Sequence, residues 1–212
     1  ALPLWTGYAL MNFLFRRNEL NLALLLAISY GLGMGVLTQW MLILGILGMK
    51  FALSNIGIPL LIFSLFFTFL GLKRGKINYL DSKSNGVLPI QRLVSKTLFI
   101  KILRGILYIW LSVYIIYVFW RALNIPVYSW DEVATVAFKA KVFFFQRSLA
   151  NLKNLPHAFY PLHVSFAQTW VAINLGAWDD QFIKIIFPFA FLSFLIIFDY
   201  FLTYYTNRIW AL

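Results

Sequence analysis

Apolar residues fill five long stretches of the chain, and polar residues are confined to the segments between them. The first stretch, 1–15, stops at Arg16-Arg17; the others are 22–48, 51–72, 102–120 and 182–205. A helix needs about 20 apolar residues to cross the hydrocarbon core of a bilayer. The pattern therefore predicts an all-α, polytopic membrane protein with about five transmembrane helices. Gly31-x-Gly33-x-Gly35 lies inside the second stretch. Such a pattern marks a phosphate loop only in a strand–turn–helix setting; within an apolar helix it marks close helix packing, which is the role expected of it. Pro59, inside the third stretch, predicts a kink that neighbouring helices tolerate.

The polar interruptions orient the spans. Between Lys73 and Arg104 the basic residues outnumber the single acid, Asp81, by eight to one, and that bias marks a cytoplasmic loop. Alternate crossings then put 121–181 on the outer face. Two helices are expected in that outer loop, over 132–149 and 162–176. The second is apolar but has only 15 residues, short of the usual spanning range of about 17–25. It also carries His163, Ser165, Gln168, Thr169 and Asn174, so it is read as a helix at the membrane surface or partly embedded in it. The expected organisation is a three-span segment over 1–97, ending in the basic cytoplasmic loop, and a second module over 98–212 that carries the outer loop. Both ends of the sequence fall in apolar runs and are read as cuts through a longer protein.

Composition narrows the class. Of 212 residues 62% are hydrophobic and 12% charged, about half the charged share of a soluble domain. The net charge of +11 raises the question of nucleic acid. The 18 Lys and Arg residues cluster between apolar stretches, however, and the 22 Phe, 11 Tyr and 8 Trp suit lipid contact and interfacial belts. The bilayer is the expected partner, and nucleic acid is not. With no cysteine and two histidines, disulfides and thiolate metal sites are excluded; no cofactor is predicted.

Candidate chemistry concentrates in the outer loop, which holds both histidines and four of the seven acids. Ser129-Trp130-Asp131-Glu132 matches a capping box, with Ser129 as N-cap and Glu132 reaching back, and Asp131 suits the helix dipole. A carboxylate fixed at a helix start near the membrane surface is equally well placed as a general base. At 100° per residue Lys139 falls about 20° from Glu132 and Lys141 about 180° away, so Lys139 is expected to share the acids' face and to meet an anionic phosphate. His157 and Tyr160 precede Pro161 at the start of the next helix; phosphate binding, proton shuttling and a plain interfacial position are all open to His157. Asp179-Asp180 suits the start of the last span, with a divalent cation as the alternative reading. Asp199, deep in that span, needs a partner or a proton.

The order of these motifs resembles the first outer loop of GT-C fold glycosyltransferases, nearest the protein O-mannosyltransferase and aminoarabinose transferase group. The resemblance rests on Trp130-Asp131 followed by Lys139-Ala140-Lys141, on His157 to Leu162, and on Trp178-Asp179-Asp180 leading to Lys184. It covers roughly 98–212. It implies transfer of a sugar from a polyprenyl-phosphate donor to an acceptor on the extracytoplasmic face of a bacterial cytoplasmic membrane. Asp131 would act as catalytic base with Glu132 beside it, and Lys139 and Lys184 would hold the donor phosphate. The group often has His-Pro-Pro-Leu where this chain has His157 to Leu162, and an arginine where this chain has Lys184. Two rival readings remain: a fragment of a transporter or flippase, and a noncatalytic scaffold subunit that binds the rest of the same polypeptide or a membrane partner.

Overall fold

The computed structural model describes residues 1–15, 20–73 and 98–205. Most of the basic loop, including Asp81, and Arg16, Arg17 and Arg208 lie outside these residues. Seven α-helices are described: α1 (Leu2–Leu14), α2 (Leu22–Ile46), α3 (Leu53–Lys73), α4 (Leu98–Asn124), α5 (Ala137–Gln146), α6 (His163–Leu175) and α7 (Ile186–Tyr205). A π-helical turn, Glu132–Val136, leads into α5, and a 3-10 turn, Phe182–Ile185, leads into α7. Among the described residues four helices are long and apolar enough to cross a membrane: α2, α3, α4 and the continuous stretch of α7 with its 3-10 turn. The fifth expected span, α1, has 13 residues, a length of about 20 Å, and falls short of that criterion.

The first three helices form one tight unit, and glycine decides how tight. A Cβ on Gly33 would sit 1.7 Å from the Pro3 carbonyl oxygen, and one on Gly7 would sit 1.8 Å from that of Ser29. Backbone thus meets backbone where α1 crosses α2, as small residues allow in apolar helices. Of the three glycines expected to pack, only Gly33 does so; Cβ positions on Gly31 and Gly35 meet nothing within 4 Å. The Thr6 and Ser64 hydroxyls, 2.9 Å apart, tie α1 to α3 in the buried interior.

The helix α6, expected at the membrane surface or partly embedded in it, packs inside the protein: Ser165, Phe166, Ala167, Gln168, Thr169, Ala172 and Ile173 are buried. Three of its five polar residues reach other elements, while Asn174 bonds to the Trp170 carbonyl of α6 itself and the buried Gln168 amide has no partner among the described residues. Ser165 Oγ donates to the Val136 carbonyl (2.9 Å), Thr169 Oγ1 to that of Ala140 (3.2 Å), and His163 Nδ1 lies 2.8 Å from Thr38 Oγ1 on α2. Phe166 closes a ring cluster with Phe143 of α5 and Phe51 from the α2–α3 connection, at centroid distances of 5.7 and 5.9 Å. The chain after α5 therefore forms part of one apolar core with α2 and α3. Because α2 also packs on α7, the expected boundary at residue 97 is crossed by helix contacts. By contrast, among the described residues α4 leans chiefly on the 3-10 turn and α7; Phe119 meets Phe189 edge-on at 5.3 Å.

Candidate functional site

Where α4, the π turn and the start of α7 converge, they border a partly open chamber of about 780 Å³. Each wall has a local cause. On α4, Tyr114, Tyr117, Val118 and Arg121 follow i, i+3, i+4, i+7 spacing and so share one face, and all four line the chamber. The opposite wall is the π turn. The Ala137 N–H bonds back to the Glu132 carbonyl across five residues, and Thr135 Oγ1 donates to the Asp131 carbonyl. Asp131, Glu132 and Thr135 all reach the chamber. Single π turns recur at functional sites because they re-aim side chains within a helix.

The electrostatics centre on two cations and two carboxylates. Lys184, 8% exposed, donates from Nζ to the Ile125 carbonyl, which pins the loop after α4 to the base of α7. Arg121 Nη2 donates to the Tyr128 hydroxyl, and the guanidinium lies 5.9 Å from the centre of the same ring. Burial raises the Glu132 carboxyl above the ordinary glutamate range, while the nearby Lys184 charge opposes that rise. The capping box is not formed: no hydrogen bond joins the Ser129 hydroxyl or the Glu132 carboxylate to the helix start, and Ser129 contributes only its carbonyl, which accepts from the Val133 N–H at 2.9 Å. Glu132 is thereby left to face the chamber.

Of the residues singled out from sequence, Asp131, Glu132, Tyr160 and Lys184 meet in this chamber. Lys139 and His157 do not line it. Lys139 is 1% exposed; its ammonium donates to the His157 carbonyl and lies 5.4 Å from the centre of the Tyr160 ring. Burial pushes it below the usual lysine range. The π turn explains the misplacement: a wide turn takes up about one extra residue, which breaks the 100° phase that had put Lys139 on Glu132's face. His157 has a left-handed backbone, φ 50°, and its ring stacks on Tyr160 at 4.8 Å. Together Lys139 and His157 hold Tyr160 in position. Arg121, which follows Trp120 at the end of α4, is a cation of the chamber that the sequence motifs did not single out, although its spacing from Tyr114 and Tyr117 is visible in the sequence.

Asp179 and Asp180 have structural partners. Asp179 Oδ1 accepts from the N–H groups of Gln181 (2.8 Å) and Phe182 (2.9 Å), capping the turn before α7. Asp180 Oδ1 accepts from Trp178 Nε1 at 2.7 Å. Among the described residues no group of three or more His, Cys, Asp or Glu side chains is placed to hold a metal ion. Asp199 lies fifteen residues beyond Lys184 in sequence, about 20 Å along the helix, and takes no part in the chamber. No family model matches the chain, and no curated protein or solved structure proves similar to it.

Proposed function

We propose that the chamber is the extracytoplasmic active site of a membrane glycosyltransferase that takes its sugar from a polyprenyl-phosphate donor. The observation that carries the reading is the shared chamber itself. A proton-accepting carboxylate, Glu132, stands opposite two cations, Arg121 and Lys184, at the end of helices long enough to span a bilayer. In this reading Arg121 and Lys184 hold the lipid phosphate by charge-assisted hydrogen bonds. A carboxylate of the Asp131-Glu132 pair takes the proton of the acceptor hydroxyl as its oxygen attacks the anomeric carbon and the lipid phosphate departs. Glu132 is the better placed of the two, because burial brings its proton affinity nearer to the task. The aromatic wall of Tyr114, Tyr117 and Tyr160 offers ring faces and hydroxyls to the sugar. In this reading α2, α3, α4 and α7 cross a bacterial cytoplasmic membrane in a GT-C architecture, with the chamber on its outer face.

Glu132→Gln and Asp131→Asn in the full protein, assayed for sugar transfer to a hydroxyl acceptor, test the proposal. Loss of at least a hundredfold in turnover is expected for one of them, in the range of a missing general base. Full activity in both, with folding unchanged, would remove the assignment.

A further inference from the structure

On the side of α2 the chamber abuts a second cavity. Val164 and Phe187 form part of the chamber wall, and the same two side chains line this second cavity, about 530 Å³, which runs between α2 and α7 under α6. This groove has a different character from the chamber. Ala27, Ile28 and Met34 of α2 face Ala190, Phe194 and Ile197 of α7 across it. Two of its three polar side chains are already bound to protein: the Tyr30 hydroxyl donates to the Ile186 carbonyl at 2.8 Å, and His163 Nδ1 pairs with Thr38 at 2.8 Å. Ser193 is the third. The walls therefore offer an occupant dispersion contacts and almost no polar demand. From Ile186 to Ile197 the groove follows α7 for about 16 Å. At Gly31 its floor is open, since a Cβ there would meet nothing within 4 Å.

A charged chamber and an apolar groove that adjoin at two shared side chains match one chemical form, an anionic head on a hydrocarbon chain. We infer that the groove between α2 and α7 holds the first part of the chain of the same phospholipid whose phosphate lies against Arg121 and Lys184. The segment before residue 97 then supplies one wall of the lipid site. It is not an appendage to a module beginning at 98. The 16 Å length takes only the head-proximal part of a long polyprenyl chain and leaves the rest to the bilayer. This inference rests on the phosphate-binding half of the transfer proposal, not on the chemical step.

Photolabelling tests it. The full protein in detergent is exposed to farnesyl phosphate with a diazirine at the far end of its chain, to the farnesol analogue with the same label, and to inorganic phosphate as competitor. Labelled peptides are expected from α2 and α7, with farnesol at least tenfold weaker. Gly31→Leu fills the groove and is expected to cut labelling about tenfold. Gly35→Leu, equally open but outside the groove, is expected to leave it intact. If Gly31→Leu lowers thermal stability, Ala190→Leu on the facing wall gives the same reading. Labelling spread over the exposed faces of α3 and α4, equal labelling by farnesol, or indifference to both groove variants would overturn the inference. Groove labelling in a protein that transfers no sugar would uphold it and sink the transfer reading alone.

Discussion

Glu132 and Lys184 oppose each other within one chamber: burial raises the carboxyl's hold on its proton, and the Lys184 charge weakens it, with burial the larger effect. The sign of the pH dependence follows. A carboxyl that binds its proton more tightly folded than unfolded opposes folding once the pH exceeds the unfolded value of about 4.3. Below that value both states keep the proton and the penalty is absent; it grows as pH rises and is complete above the folded value. Glu132→Gln is expected to raise the thermal midpoint at about pH 7.5 and to leave it unchanged at about pH 3.5. Lys184→Met removes the opposing charge, so the Glu132 titration, followed by infrared carboxyl absorbance, is expected to move further up. An unchanged titration would mean that the two groups do not share a field.

Gly33 and Gly35 form an internal control for helix packing. Alanine at 33 drives a Cβ into the Pro3 carbonyl oxygen, whereas alanine at 35 meets nothing within 4 Å. The obstacle at 33 is backbone and cannot rotate away, so the loss is expected at the upper end of the usual overpacking range, about 3 kcal/mol. Gly35→Ala is expected to be neutral or mildly stabilising, by at most about 1 kcal/mol from helix propensity. Reversible unfolding in mixed micelles measures both, and equal losses would contradict the crossing of α1 and α2.

The long helices were legible because apolar length alone specifies them: α2, α3 and α7 begin and end within a few residues of the apolar runs that announced them. The outer loop was harder to read for two physical reasons. Ser165 and Thr169 on an apolar helix are the same pattern whether they face water or bond to a neighbouring helix, and only the packing of α5 decides between those outcomes. Lys139 was misplaced because helix phase was extrapolated through Glu132–Val136, which is π-helical, and nothing in Glu-Val-Ala-Thr-Val announces a wide turn. The acids themselves stood out, since charge is scarce in this chain. Arg121 did not stand out because an arginine after a tryptophan at a span end has a sufficient interfacial explanation, and its partner Tyr128 and the second cation, Lys184, come from later elements.

Ser165 links that correction to a measurable energy. Its hydroxyl is the α6 side-chain donor to the Val136 carbonyl, at the end of the π turn, and the residue is 1% exposed. Ser165→Ala leaves a polar contact unmade in a buried place, a loss of about 1–2 kcal/mol. Ser165→Cys, close in volume but a weak donor, is expected to fall between. Hydrogen exchange at the amides of 132–140 should quicken in proportion. Unchanged exchange there, with normal stability, would show that α6 does not hold the turn.

Arg121 provides the sharpest test of the chamber as an anion site. Its guanidinium carries five N–H donors, and the bond to the Tyr128 hydroxyl uses one of them. The remainder can grip two phosphate oxygens at once. Lysine keeps the charge but loses that paired geometry, and glutamine loses the charge as well. With the full protein and a lipid-phosphate donor, Arg121→Gln is expected to raise KM tenfold or more. Arg121→Lys should fall between that variant and the parent. Tyr128→Phe keeps the ring beneath the guanidinium and removes only the hydroxyl, so it should move KM by less than about threefold, the scale of one hydrogen bond exchanged for water. An order in which Tyr128→Phe is the most damaging would assign Arg121 to bracing the loop after α4, and would leave Lys184 as the sole cation available to the donor phosphate in this chamber among the described residues.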